Sequence, residues 1–105
     1  MDQAIVDKVK SEYTGTRELR WATHPDLPDW IIFQVPTRAE LRMFYDQQEK
    51  SVPNARQMLI DTCVVWPKKD ELNASIDAHP GLSGVWVGEI LQGAGVTAQA
   101  KQGKA

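Results

Sequence analysis

The chain has 105 residues, 42% hydrophobic and 25% charged, with 12 basic against 14 acidic side chains and a formal net charge of −2. That composition supports one modest globular core and argues against disorder. It also lacks the basic excess of a nucleic-acid surface and any apolar run near the ~20 residues that cross a bilayer, so no nucleic-acid or membrane partner is expected.

The first stretch, MDQAIVDKVKSEY, is amphipathic and has no continuous apolar segment of the secretory kind. A soluble intracellular chain is therefore expected. Ile5, Val9 and Tyr13 recur every four residues with Val6 beside them, which predicts a short helix over Asp2 to Tyr13, ended by Thr14-Gly15-Thr16. Arg17 to Thr23 alternates: Leu19 and Trp21 point one way on a strand, Glu18 and Arg20 the other. His24-Pro25-Asp26-Leu27-Pro28-Asp29 is a turn-rich connector. Trp30 to Val35 is β-branched and aromatic and is the clearest strand of the chain. The two strands predict an antiparallel hairpin, which needs cover on one face. The helices downstream are the expected cover.

Thr37 and Glu40 have the spacing of a capping box, opening a helix to about Gln48 with an apolar stripe at Leu41, Phe44 and Tyr45. After Lys50-Ser51-Val52-Pro53 a second helix carries Ala55, Met58, Leu59, Thr62 and Cys63 on one face. Val64-Val65-Trp66-Pro67 reads as an extended connector too short for a strand. Lys68 to Ala78 is a third helix, with Leu72, Ser75 and Ile76 together, ended by His79-Pro80-Gly81. Leu82 to Gln92 is the last, with Leu82, Val85, Trp86, either Glu89 or Ile90, and Gly93 facing inward and Gly93 and Gly95 closing it. The expected fold is α+β: an N-terminal helix and a hairpin packed against a bundle of about four helices. Residues 1–95 are expected to form a single globular domain and residues 96–105, VTAQAKQGKA, a flexible C-terminal tail.

Catalytic constellations are missing from the pattern. His24 and His79 both precede proline in separate turns, and neither has a ligand-spaced neighbour. Cys63 falls among apolar residues near a helix C-terminus, the setting of an inert thiol. No phosphate-binding glycine loop is present. No catalytic residue, cofactor site or metal site is therefore expected, and the chain reads as a non-enzyme. Four tryptophans, at positions 21, 30, 66 and 86, are many for this length. Trp66, in an extended segment, is the candidate for a contact surface. The last helix adds Gly84, Trp86 and Gly88: the two glycines lie four apart and would let another helix, from a partner or a second copy, come close.

The segment Asn54 to Gly95 resembles the C-terminal half of small tail assembly chaperones, or chaperone-like proteins, of tailed bacteriophages and prophages. The resemblance rests on Ala55 to Ile60, Cys63-Val64-Val65-Trp66-Pro67, Glu71-Leu72, His79-Pro80-Gly81-Leu82 and Gly88 to Gly93. Ile31 to Glu40, a strand running into Pro36-Thr37-x-x-Glu40, looks like the entrance to the same domain, so the likeness spans roughly Asp29 to Gly95. It implies an accessory protein of the bacterial host cytoplasm that binds the tape-measure protein, or another tail protein, and aids tail assembly. An alternative is a structural or adaptor component of the phage particle. A small DNA-binding regulator is a third reading, resting only on Lys68-Lys69, Arg38 and Arg42.

Overall fold

A computed structural model describes residues 2–25 and 29–95. The tail expected over 96–105 lies outside the described residues, as does part of the hairpin turn. The elements run α1 (Gln3–Glu12), β1 (Leu19–Thr23), β2 (Trp30–Gln34), α2 (Arg38–Lys50), α3 (Val52–Cys63), β3 (Val64–Trp66), α4 (Lys69–Ala78) and α5 (Leu82–Gly93). The fold is α+β, as the patterning predicts, with one addition. Val64–Trp66 is a third strand, not a bare connector, and pairs antiparallel with β2 in the order β1-β2-β3. Three residues are too few for a periodicity to show, and only the neighbouring strand reveals the pairing.

Local chemistry starts and stops the helices. The Asp2 carboxylate accepts from the Ala4 N–H at the head of α1 (2.9 Å). At α2 the capping box is complete: the Glu40 N–H donates to the Thr37 hydroxyl and the Thr37 N–H to the Glu40 carboxylate. Arg17, just ahead of β1, also grips Glu40 with both terminal guanidinium nitrogens. Burial alone would raise the Glu40 carboxyl. The Thr37 N–H and Arg17 outweigh it and hold Glu40 below its usual range. Ser51 ends α2 by donating its N–H to the Gln47 carbonyl, and starts α3 by accepting from the Asn54 N–H. The helices therefore meet at an elbow of one residue, with Pro53 in the first turn of α3, where its missing N–H costs little.

Opposed residues share a face of an antiparallel sheet. Ala22 opposite Ile31 and Arg20 opposite Phe33 look toward the helices. Ala22, Ile31 and Phe33 join Phe44, Ala55, Leu59, Ile60, Cys63, Leu72, Leu82, Trp86, Val87 and Ile90 in one apolar cluster. The opposite face carries Trp21 across from Ile32 and Thr23 across from Trp30. There α1 supplies the cover: Val6 and Ile32 are both buried and line the same notch. The hairpin is thus enclosed from two sides, not one.

Two side chains depart from the expected stripes. Tyr45 is 43% exposed and touches Phe44 only edge-on, with ring centroids 5.3 Å apart. Thr62 is exposed, its hydroxyl donating back to the Met58 carbonyl, while Ile60 takes a buried place. At the end of α5, Gly95 has φ +82°, the left-handed conformation glycine adopts at helix ends. Gly93 answers a different need. A Cβ there would lie 2.8 and 2.9 Å from the Phe33 ring, so the helix end reaches the sheet only because the side chain is missing. Phe33 is buried, and its ring would have to shift to make room. Gly93→Ala is expected to lose a net ~1–2 kcal/mol on chemical denaturation, overpacking outweighing the helix preference of alanine. An unchanged or raised midpoint would contradict that contact.

Candidate protein-binding site

β3 brings the segment Val64 to Pro67 to the half-buried rim of the molecule. Trp66 lies opposite Ile32, on the face toward α1. Its ring packs on Trp30 with centroids 4.4 Å apart and planes inclined by 41°. The Trp66-Pro67 peptide is cis, and α4 begins two residues later. Between α1 on one side and β3 with the head of α4 on the other runs a groove of about 530 Å³. Ile5, Val9, Val65 and Trp66 give it an apolar floor, and all four are half-buried. Lys8 and Glu12 edge one wall, Lys68 and Glu71 the other.

One end of the groove is tied down. The Tyr13 hydroxyl donates to Gln34 Oε1 (2.8 Å), and Gln34 Nε2 donates to the Thr62 carbonyl (2.9 Å). The tail of α1 is thereby linked through β2 to the last turn of α3. Gly15 leaves room for the phenol: a Cβ there would stand 2.2 Å from the Tyr13 oxygen.

The expected contact residues are not gathered in one place. Trp66 lines the groove, half-buried. Trp86 is fully buried at the centre of the cluster and makes no surface. Its place in the inward stripe of α5 prevails, because a side chain that size on that face must fill the space between helices. Gly84 is covered by the Arg56 guanidinium, 3.6 Å from where its Cβ would be, whereas Gly88 faces open space. Neither glycine borders the Trp66 groove.

The most exposed tryptophan is Trp21, at 52%. Its alternation with Ala22 puts it on the sheet face away from the main cluster, which α1 covers at Ile32 but leaves open at Trp21. A second hollow of about 500 Å³ lies beside it, bordered by Glu18, Arg20, Phe33, Glu89 and Gln92. The fold also brings His24 and His79, distant in sequence, to the rim of one shallow hollow with Leu82 and Val85. Among the described residues no group of three or more histidine, cysteine, aspartate or glutamate side chains could hold a metal ion. No helix among them is long and apolar enough to cross a membrane.

No family model matches the chain, and no curated protein matches it. Among solved structures it is similar to an uncharacterised protein, rbstp2171, from Bacillus stearothermophilus, with a TM-score of 0.77 over 93% of this chain and 99% of that one. At 17% identity the likeness is one of fold.

Proposed function

We propose that this chain is a non-enzymatic binding protein of the phage tail assembly chaperone kind, which holds a helical segment of the tape-measure protein in the groove between α1 and β3. The observation that carries the reading is a coincidence of place. Cys63-Val64-Val65-Trp66-Pro67, a segment on which the chaperone resemblance rests, is also the segment that walls the groove with Val65 and Trp66. An apolar floor between rims of both charges suits the apolar stripe of an amphipathic helix, seated by side chains at helical spacing. An indole backed by a second indole is a rigid anchor of the sort that dominates binding energy.

Co-expression with a tape-measure protein, followed by affinity purification, tests this. The wild-type chain is expected to co-purify with it. Val65→Asp, which puts a charge on the groove floor, is expected to weaken the complex by at least ~10-fold, or about 1.4 kcal/mol. Gly88→Ala, on the open face of α5, is expected to leave binding unchanged. Failure to recover any complex, or a loss of binding in Gly88→Ala with Val65→Asp unaffected, would rule out the groove as the site.

A further inference from the structure

β1 borders the sheet, and one bond fixes which of its groups turn outward. The Val35 N–H donates to the Glu18 carbonyl (2.9 Å), so Glu18 and Val35 form a closely bonded pair. Such pairs alternate along an antiparallel ladder. Arg20–Phe33 and Ala22–Ile31 are therefore bonded across to β2, while Leu19, Trp21 and Thr23 direct their N–H and C=O groups away from the sheet. None of these three carries a charge, and the register along β1 is unbroken. The opposite edge is different. β3 has three residues, joins through an irregularity between Ile32 and Phe33, and is followed by Pro67. Short length, irregularity and proline are the usual guards of an edge strand. β1 has none of them.

We infer that β1 pairs with the β1 of a second copy, antiparallel about a two-fold axis at Trp21, so that two three-stranded sheets become one. Opposed residues must share a face, so the axis has to pass through a residue that meets its own copy. An axis at Arg20 would set two guanidinium groups against each other and bond only Leu19 with Trp21. An axis at Ala22 would bond only Trp21 with Thr23. An axis at Trp21 uses every outward group: Leu19 with the partner's Thr23, Trp21 with the partner's Trp21, and Thr23 with the partner's Leu19.

The side chains favour the same register. The two indoles meet in a cross-strand aromatic pair, beside a notch of about 210 Å³ bordered by Val6, Lys10 and Ile32. Arg20, held by Glu18 at 3.4 Å, faces the small Ala22 of the partner. The edge complements itself along its length, which is why the occupant is a second copy and not a foreign strand.

Sedimentation velocity on the full chain, from roughly 1 to 1000 μM, should show a monomer–dimer equilibrium in the micromolar range that suits an interface of modest area. Trp21→Lys and Trp21→Glu, each placing like charges on the axis, should be monomeric where the wild type is dimeric. An equimolar mixture of the two should dimerise again. Independently of any variant, the amides of Leu19, Trp21 and Thr23 should exchange roughly 10-fold or more slowly at high than at low concentration of wild-type protein. A wild type that stays monomeric throughout overturns the inference. So do variants that dimerise as the wild type does, or these three amides being indifferent to concentration.

Discussion

Replacing Trp86 with alanine is expected to cost ~3–5 kcal/mol, against a total of ~5–15 kcal/mol for a typical domain. The residue has no exposed surface and sits where α5 meets the rest of the cluster. The same apolar cluster holds Leu59, Ile60 and Cys63 of α3, Leu72 of α4 and Phe33 of β2. Removing the indole leaves a void in a cluster drawn from several elements, which cannot all move to close it. Trp86→Phe is expected to cost much less than the loss of area implies. The Trp86 Nε1–H is buried without a hydrogen-bond partner, and an unsatisfied donor of this kind costs ~1–3 kcal/mol. Phenylalanine deletes that donor while keeping most of the ring. Urea denaturation of the three proteins checks both statements. A Trp86→Phe variant as unstable as Trp86→Ala would mean that volume alone matters there.

The second large effect depends on pH. Burial pushes the Cys63 thiol up from an ordinary 9.0 to about 12, and the nearby Glu40 charge adds to the rise. Between those values the unfolded chain gives up the thiol proton while the folded chain keeps it. The unfolded state then binds fewer protons, so stability falls as pH rises, by ~1.4 kcal/mol for each unit. Below pH 9.0 both states hold the proton and the group has no influence. From pH 8 to pH 11 the wild type is expected to lose ~3 kcal/mol more than Cys63→Ala, which has no thiol to titrate. Denaturant midpoints of both proteins at the two pH values measure the difference. Parallel losses would show that Cys63 is less sealed than its position implies. The same burial keeps the thiol from serving as a nucleophile at neutral pH.

Much of the fold was legible because its signals are local. The Thr37–Glu40 box, the Pro53 restart and the His79-Pro80-Gly81 stop each need only a few neighbouring residues, and all lie at the ends of helices. The third strand was not legible, because Val64–Trp66 is a strand only by virtue of β2 beside it. The role of α1 was hidden for a similar reason. Val6 and Ile32 are 26 positions apart in the sequence, and nothing in either segment says that they meet. Of the expected contact residues, Trp66 reaches a groove. Trp86 does not reach the surface at all, since the helical period that placed it inward is the stronger signal. Alternation puts Trp21 and Ala22 on opposite faces of β1, but how far α1 reaches across the outer face is decided by packing between distant segments.

The four tryptophans occupy three environments. Trp86 is sealed in the main cluster, Trp30 and Trp66 share a ring contact in the layer under α1, and Trp21 stands at the free edge. The chain is consequently its own set of optical probes. Emission from Trp86 reports on the large cluster and that of the Trp30–Trp66 pair on the seating of α1. Trp21 reports on whatever reaches the edge of the sheet. Removing one indole at a time would resolve the spectrum into three separate accounts of the same molecule, and would show whether the layer under α1 loosens before the rest melts.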